Sequence, residues 1–179
     1  DRTAVKSPLL AGAHLNTSIF GQHGNTTDLP FLLNRTPYGI AGMGAAFNAP
    51  APSVIELIND GYIFVVQDIR GRFGSEGQFV MLRPMRDRND KKAIDESTDA
   101  YDTIDWLLKN VPHNNGRVGM LGTSYPGWLT VIAMPDPHPA LKAGAPAASP
   151  ADMSIGDDVP PHGAFRPRYG LGYAPVRGG

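Results

Sequence analysis

Cysteine is absent from the 179 residues, which removes disulfides, thiol nucleophiles and thiolate metal ligands together. That absence suits an oxidising compartment without demanding one. No apolar run approaches the ~20 residues of a membrane-spanning helix, and no signal-peptide pattern is visible at the start. Neither sign of charge dominates: 16 Lys and Arg against 17 Asp and Glu give a formal net charge of −1. Such a balance gives nucleic-acid phosphates no basic surplus, and no charged block forms a tail. His14 and His23 lack metal-ligand spacing and read as surface or turn residues. The sequons at Asn16, Asn25 and Asn34 read as chance.

What the chain has in quantity is glycine and proline, 21 and 17 residues, so many turns and loop-built surfaces are expected. Its length allows one domain with a proper core. Residues 1–30 read as short strands and turns, with a loosely alternating strand over 13–20 and a turn cluster over 21–25. Phe31 begins a strand that Pro37 stops, which places Tyr38 at a strand's carboxyl end. Ser53 and Glu56 form a capping box for a helix over 54–59 that ends at Gly61. Tyr62 to Asp68 is the strongest strand, a continuous apolar run of the kind buried on both faces of a parallel sheet. The loop from Asp68 to Gly77 has no phosphate-loop spacing; it reads as structural, with Asp68 and Arg70 fixing its backbone. Arg83 to Lys92 reads as a solvated surface.

From Asp95 to Asn110 the pattern is helical. Ala100, Ile104, Leu107 and Leu108 recur at three- and four-residue spacing, with acids early and Lys109 late. An apolar strand, Val118 to Leu121, then runs into Gly122-Thr123-Ser124-Tyr125-Pro126-Gly127, and a helix over 126–133 follows. This is the layout of a nucleophile elbow, in which a serine on a tight strand-to-helix turn projects above the sheet. Glycine two positions before the serine suits the crowding of such a turn, and proline is tolerated in a first helical turn. A serine in an ordinary strand–helix connection fits the same residues. Leu141 to Ala145 reads as one more buried strand, and the chain after Pro146 is rich in Ala, Ser, Pro and Gly. The sum is a parallel sheet with helices on both faces.

Five blocks, in order, carry a resemblance that spans roughly residues 12–166. They are Arg35-Thr36-Pro37-Tyr38, Asp68 to Gly77, Tyr101-Asp102-Thr103-Ile104-Asp105-Trp106-Leu107, Gly122 to Gly127, and His138-Pro139-Ala140-Leu141-Lys142. They resemble the serine hydrolases grouped with X-Pro dipeptidyl peptidases and cocaine esterase. Gly156-Asp157-Asp158 and His162 to Arg166 direct the resemblance to the α-amino acid ester hydrolases. It implies an α/β-hydrolase fold, incomplete at its C-terminal side, with residues 1–150 as the front of the core and 151–179 as the start of a cap or loop region.

The resemblance also implies roles. Ser124 would be the acylated nucleophile, the backbone amide of Tyr125 one oxyanion donor, and the Tyr38 hydroxyl the other; a Tyr38 ring packed under a loop is the competing reading. Asp158 would hold the substrate's α-ammonium group, while Asp157 and Asp158 read equally as a solvated turn. The triad's acid and histidine follow the serine in this fold, and neither His138 nor His162 fits the base. A partial chain is therefore expected, with both residues beyond position 179. The implied activity is hydrolysis or aminolysis of α-amino acid esters and β-lactams. X-Pro dipeptidyl peptidase, generic carboxylesterase and non-catalytic binding remnant stand as alternatives. No cofactor and no metal are implied. The expected partner is a small ester or amide, not nucleic acid or membrane; homo-oligomerisation and export stay open.

Overall fold

The computed structural model describes residues 2–10, 13–20, 28–40, 56–57, 59–90 and 92–150. Among the described residues six strands form one sheet in the order β1-β2-β4-β3-β5-β6. They are β1 (Arg2–Leu10), β2 (Ala13–Phe20), β3 (Leu29–Thr36), β4 (Ile63–Asp68), β5 (Asn114–Thr123) and β6 (Leu141–Ala147). β1 and β2 pair antiparallel, and β2 pairs antiparallel with β4. The β4–β3, β3–β5 and β5–β6 pairings are all parallel. Two helices, α1 (Glu96–Asn110) and α2 (Tyr125–Ile132), follow β4 and β5.

Every residue of β4 is buried, as its unbroken apolar run requires of a strand flanked and covered on both faces. β3 alternates instead: Phe31 and Leu33 are fully buried, Leu32 and Asn34 half-buried. Ile63, Val65, Val118 and Met120 join them in one cluster, which Ala100, Ile104 and Leu107 close from α1. Each large side chain removed from water there contributes about 1.5–3 kcal/mol.

α1 starts where it does because Asp95 caps it. The Asp95 carboxylate accepts from the Thr98 amide at 2.8 Å, and the Thr98 hydroxyl accepts from the Asp95 amide at 3.0 Å. Two otherwise orphaned donors are thereby satisfied reciprocally. Between β3 and β4 the residues Glu56, Leu57 and Asn59 are helical. Their helix ends at Gly61, whose φ of 89° lies in the left-handed region that favours glycine; Ser53 of the expected capping box lies outside the described residues. The chain steps from β3 to β4 in one direction and from β4 to β5 in the other. Right-handed crossovers therefore put the two connecting helices on opposite faces of the sheet.

One expectation needs correcting. Leu141 to Ala147 does form a strand, but it is not buried: every residue after Leu141 is exposed. β6 stands at the sheet's border and, among the described residues, pairs only with β5. A run of alanine and glycine is apolar wherever it lies, so composition did not reveal that the strand order leaves it uncovered.

Candidate active site

The parallel strands β3, β4 and β5 direct their carboxyl ends to one rim, where ligands of open α/β sheets are held. β3 and β5 are neighbours in register, with Leu33 opposite Met120. Three residues on, both strands stop, β3 at Thr36 and β5 at Thr123. Ser124 follows β5 directly and Tyr38 lies two residues beyond β3, past the ends of adjacent strands whose axes lie about 4.8 Å apart.

Ser124 has φ 64° and ψ −125°, a conformation that L-residues other than at special turns avoid. The geometry is over-determined by its surroundings. Its amide donates to the Ala147 carbonyl at 2.9 Å, and its own carbonyl accepts from the Trp128 amide at 2.9 Å, opening α2. Gly122 faces the Pro126 carbonyl so closely that a Cβ would stand 2.3 Å from that oxygen. A Cβ on Gly127 would stand 2.7 Å from the Ala147 carbonyl oxygen. Both glycines are therefore steric requirements of the turn. The serine is exposed, and its hydroxyl is not spent on capping its own helix.

Tyr125 opens α2, in the turn whose amides have no acceptor within their own helix. Its ring is buried, edge-on to Trp128 at 5.4 Å, and its hydroxyl accepts from the Leu82 amide at 2.8 Å. Ile69, Tyr125, Trp128 and Leu129 form a second apolar cluster, on which Phe79, Leu82 and Ile132 pack. The elbow is thus bound to the segment after β4. Tyr38 is 39 % exposed. Its amide donates to the Thr36 hydroxyl at 3.1 Å, and the next turn is closed by the Ile40 amide on Asp68 Oδ1 at 2.8 Å.

Asp68 does what its place in the sequence suggested. Besides Ile40 it accepts from Asn16 Nδ2 at 2.8 Å, and its carbonyl accepts from the Ser75 hydroxyl at 2.7 Å. Arg70 meets Asp99 with two nitrogens, the Nε bond being 2.9 Å. A feature the sequence did not betray is the fully buried Arg35. Its Nε donates to Gln67 Oε1 at 2.9 Å and its Nη1 to the Glu96 carbonyl at 2.8 Å, while Glu96 Oε2 lies 3.1 Å from Nη1. Burial pushes the Glu96 carboxyl above its ordinary range even though Arg35 opposes that shift. The ends of β3 and β4 are tied by this network to the first turn of α1. A signal existed in Arg35 preceding Thr36-Pro37-Tyr38, but its partners Gln67 and Glu96 stand 32 and 61 positions away.

No described histidine serves Ser124. His138 precedes β6, at the amino end of the sheet: Leu141 pairs with Val118, while the serine lies beyond the Thr123–Ala147 pair. At ~3.3 Å per residue roughly 20 Å of strand separates the two ends. His138 Nδ1 accepts from the Ala140 amide at 3.0 Å, the ring sits edge-on to Tyr101 at 4.6 Å, and burial lowers its pKa. His14 reaches the correct rim but on β2, three strands from β5. Asp157, Asp158 and His162 lie outside the described residues. Among the described residues no cluster of His, Cys, Asp or Glu could hold a metal ion, and no helix is long and apolar enough to cross a membrane. A cleft of about 220 Å³ lined by Arg86, Ser97, Thr98, Tyr101, Asp102 and Asp136 includes none of the rim residues.

The family model described as X-Pro dipeptidyl-peptidase (S15 family) matches residues 12–176. Cocaine esterase of Rhodococcus sp. (strain MB1 Bresler) is 32 % identical over 174 residues, covering 97 % of this chain and 28 % of the esterase. The crystal structure of an aminopeptidase from a marine sediment Thaumarchaeota archaeon superposes with a TM-score of 0.86 at 40 % identity, over 97 % of this chain and 29 % of that one. An α-amino acid ester hydrolase gives a TM-score of 0.83 at 40 % identity, over 93 % and 28 %. The chain therefore spans under a third of the length of these relatives. The architecture is that of the α/β hydrolases, as expected.

Proposed function

This chain belongs to the X-Pro dipeptidyl-peptidase family of serine hydrolases, and from that premise we propose that Ser124 is the nucleophile of an acyl transfer from esters or amides. The observation that carries the reading is the strained turn of Ser124, φ 64° and ψ −125°, held between two glycines that admit no side chain. Strain of that kind persists where function needs the geometry. The elbow lifts the hydroxyl off the sheet toward the rim.

In the proposed reaction Ser124 Oγ adds to the carbonyl carbon as its proton passes to a general base. The charge that collects on the carbonyl oxygen is met by the Tyr125 amide and the Tyr38 hydroxyl. Removing one preorganised donor of this type typically costs ~10²–10³ in rate. Collapse of the tetrahedral intermediate expels the alcohol or amine, which takes the proton, and leaves an acyl-serine that water or a second amine then cleaves. The base and its orienting acid are assigned to residues downstream of 179, a reading supported by the placement of His138 and by the greater length of the relatives. Serine without its base is a weak nucleophile, so the residues 1–179 alone turn over slowly. No cofactor enters.

The preferred substrates are α-amino acid esters and β-lactams with an α-amino acyl group, with Asp158 meeting the α-ammonium. A desolvated opposite charge is strongly attractive to such a group. The likeness to an α-amino acid ester hydrolase supports this, and the equal identity to an aminopeptidase favours amino-terminal peptides as a second class with the same ammonium. The test is a fluorophosphonate probe read by peptide mass spectrometry, with Ser124→Ala as control. An adduct confined to Ser124 supports an activated serine. Labelling that survives Ser124→Ala, or falls on another residue, sinks the assignment. On the full-length parent, an α-amino ester should be cleaved faster than its desamino analogue, and Asp158→Asn should abolish that preference.

A further inference from the structure

Tyr38 is on a short turn beyond β3, outside any regular element, yet an oxyanion donor must be aimed to within a fraction of an ångström. The peptide unit before it shows how this is done. Its N–H end, the Tyr38 amide, donates to the Thr36 hydroxyl at 3.1 Å. Its C=O end, the Pro37 carbonyl, accepts from Arg72 Nε at 3.1 Å. A peptide unit is planar and rigid, so holding both ends fixes the plane and with it the position of the Tyr38 Cα, from which the side chain leaves the backbone.

Arg72 is itself held. It is buried at 6 % exposure, and its guanidinium carbon lies 5.0 Å from the ring centroids of both Phe73 and Phe79. Phe79 packs on the Tyr125–Trp128 cluster of the elbow. The Phe73 ring stands 3.0 Å from where a Gly39 Cβ would be, next to Tyr38. Phe73 has φ 48°, a conformation costly for a bulky residue. Its ring is 64 % exposed, so burial of the ring does not explain that cost. One guanidinium therefore spans the turn that carries Tyr38 and the cluster that carries Ser124.

We propose that Arg72 is the positioning residue of the site: through the Pro37 carbonyl and its contacts with the Phe73 and Phe79 rings it sets Tyr38 relative to Ser124. The proposal rests on reading Tyr38 as an oxyanion donor. Lysine cannot replace it, because a compact ammonium offers neither a planar face to two rings nor a donor at the Nε position.

The test uses the 179-residue chain labelled with 3-fluorotyrosine, its Tyr38 fluorine resonance assigned by Tyr38→Phe. In Arg72→Lys the Tyr38 resonance should move toward that of the free amino acid, while the resonance of Tyr101, on α1, stays in place. A Tyr38 signal that does not move overturns the proposal. Simultaneous movement of Tyr101 overturns it too, since Arg72 would then support the whole fold. In the full-length parent, which carries the base, Arg72→Lys and Tyr38→Phe should slow fluorophosphonate labelling of Ser124 by a similar factor, ~10²–10³, and the double variant no further. If Tyr38→Phe leaves labelling unchanged, the oxyanion reading fails, whereas the fluorine spectrum still decides whether Arg72 sets Tyr38.

Discussion

Replacing the serine with glycine should make the protein more stable, and more so than replacing it with alanine. Ser124 has φ 64° and ψ −125°, and a residue with a Cβ held in so sparse a region costs about 1–3 kcal/mol. Alanine keeps the Cβ and hence the cost. It loses only an exposed hydroxyl that caps nothing, so its stability should match that of the parent within about 0.5 kcal/mol. Glycine removes the cost but frees the unfolded chain, which returns about 0.4–1 kcal/mol. The difference left in favour of Ser124→Gly over Ser124→Ala is about 0–2.6 kcal/mol. For a chain of this size that is a rise of up to roughly 10 °C in Tm. Urea titration of both variants at one pH, read by tryptophan fluorescence, measures it. Trp128 lies four residues from the substitution, so far-ultraviolet dichroism should accompany it as a second probe. A more stable alanine variant would show that the elbow stores no strain beyond the entropy that glycine forfeits, and would remove the main support for Ser124 as nucleophile.

Three further outcomes follow from packing and charge. Gly122→Ala, with its new Cβ 2.3 Å from the Pro126 carbonyl oxygen, should cost more than the usual 1–3 kcal/mol of overpacking, whereas Gly116→Ala, with nothing within 4 Å, should cost only its backbone strain; urea midpoints compare them. Asp95→Ala removes the cap of α1 and the acceptor of the Arg86 amide, and should lower stability by about 0.5–2 kcal/mol. Burial raises the folded-state pKa of Glu96 above its ordinary value of 4.5. The folded protein therefore binds more protons than the unfolded chain, and this contribution is full below pH 4.5 and lost as pH rises through the folded pKa. Glu96→Gln should accordingly show a shallower loss of urea resistance than the parent from pH 4.5 upward; parallel curves would mean that Arg35 fully offsets the burial.

How far the sequence disclosed this molecule depended on how far apart the interacting residues stand. The elbow, β4 and α1 are local patterns: a serine between small residues, an unbroken apolar run, and a three-and-four spacing with acids first. Each could be read within a window of a dozen residues, and Tyr38 was placed by the proline beside it. What was missed is non-local. Arg35 is fully buried because Gln67 and Glu96 reach it from distant segments, and a charged residue ahead of a turn otherwise looks solvated. Arg72 looked like one more charge in a glycine-punctuated loop until Pro37, Phe73 and Phe79 were found around it. The exposure of β6 goes with its place at the border of the described strands, which no stretch of seven residues contains.

Strand order also has a kinetic meaning. The central strand β3 pairs with β4 and β5, both of which come later in the chain, and its register with β5 joins Leu33 to Met120. Such distant pairings form slowly, because loop closure must precede the contacts that reward it. The turn at Ser124 leans on more than β5: its amide is held by Ala147 and Gly127 abuts the same carbonyl, so β6 must also have docked. A partly folded chain with β5 unpaired or β6 detached has nothing to hold the serine in its high-energy conformation. Reactivity toward a serine-directed probe should therefore emerge only at the end of refolding, after secondary structure has already returned.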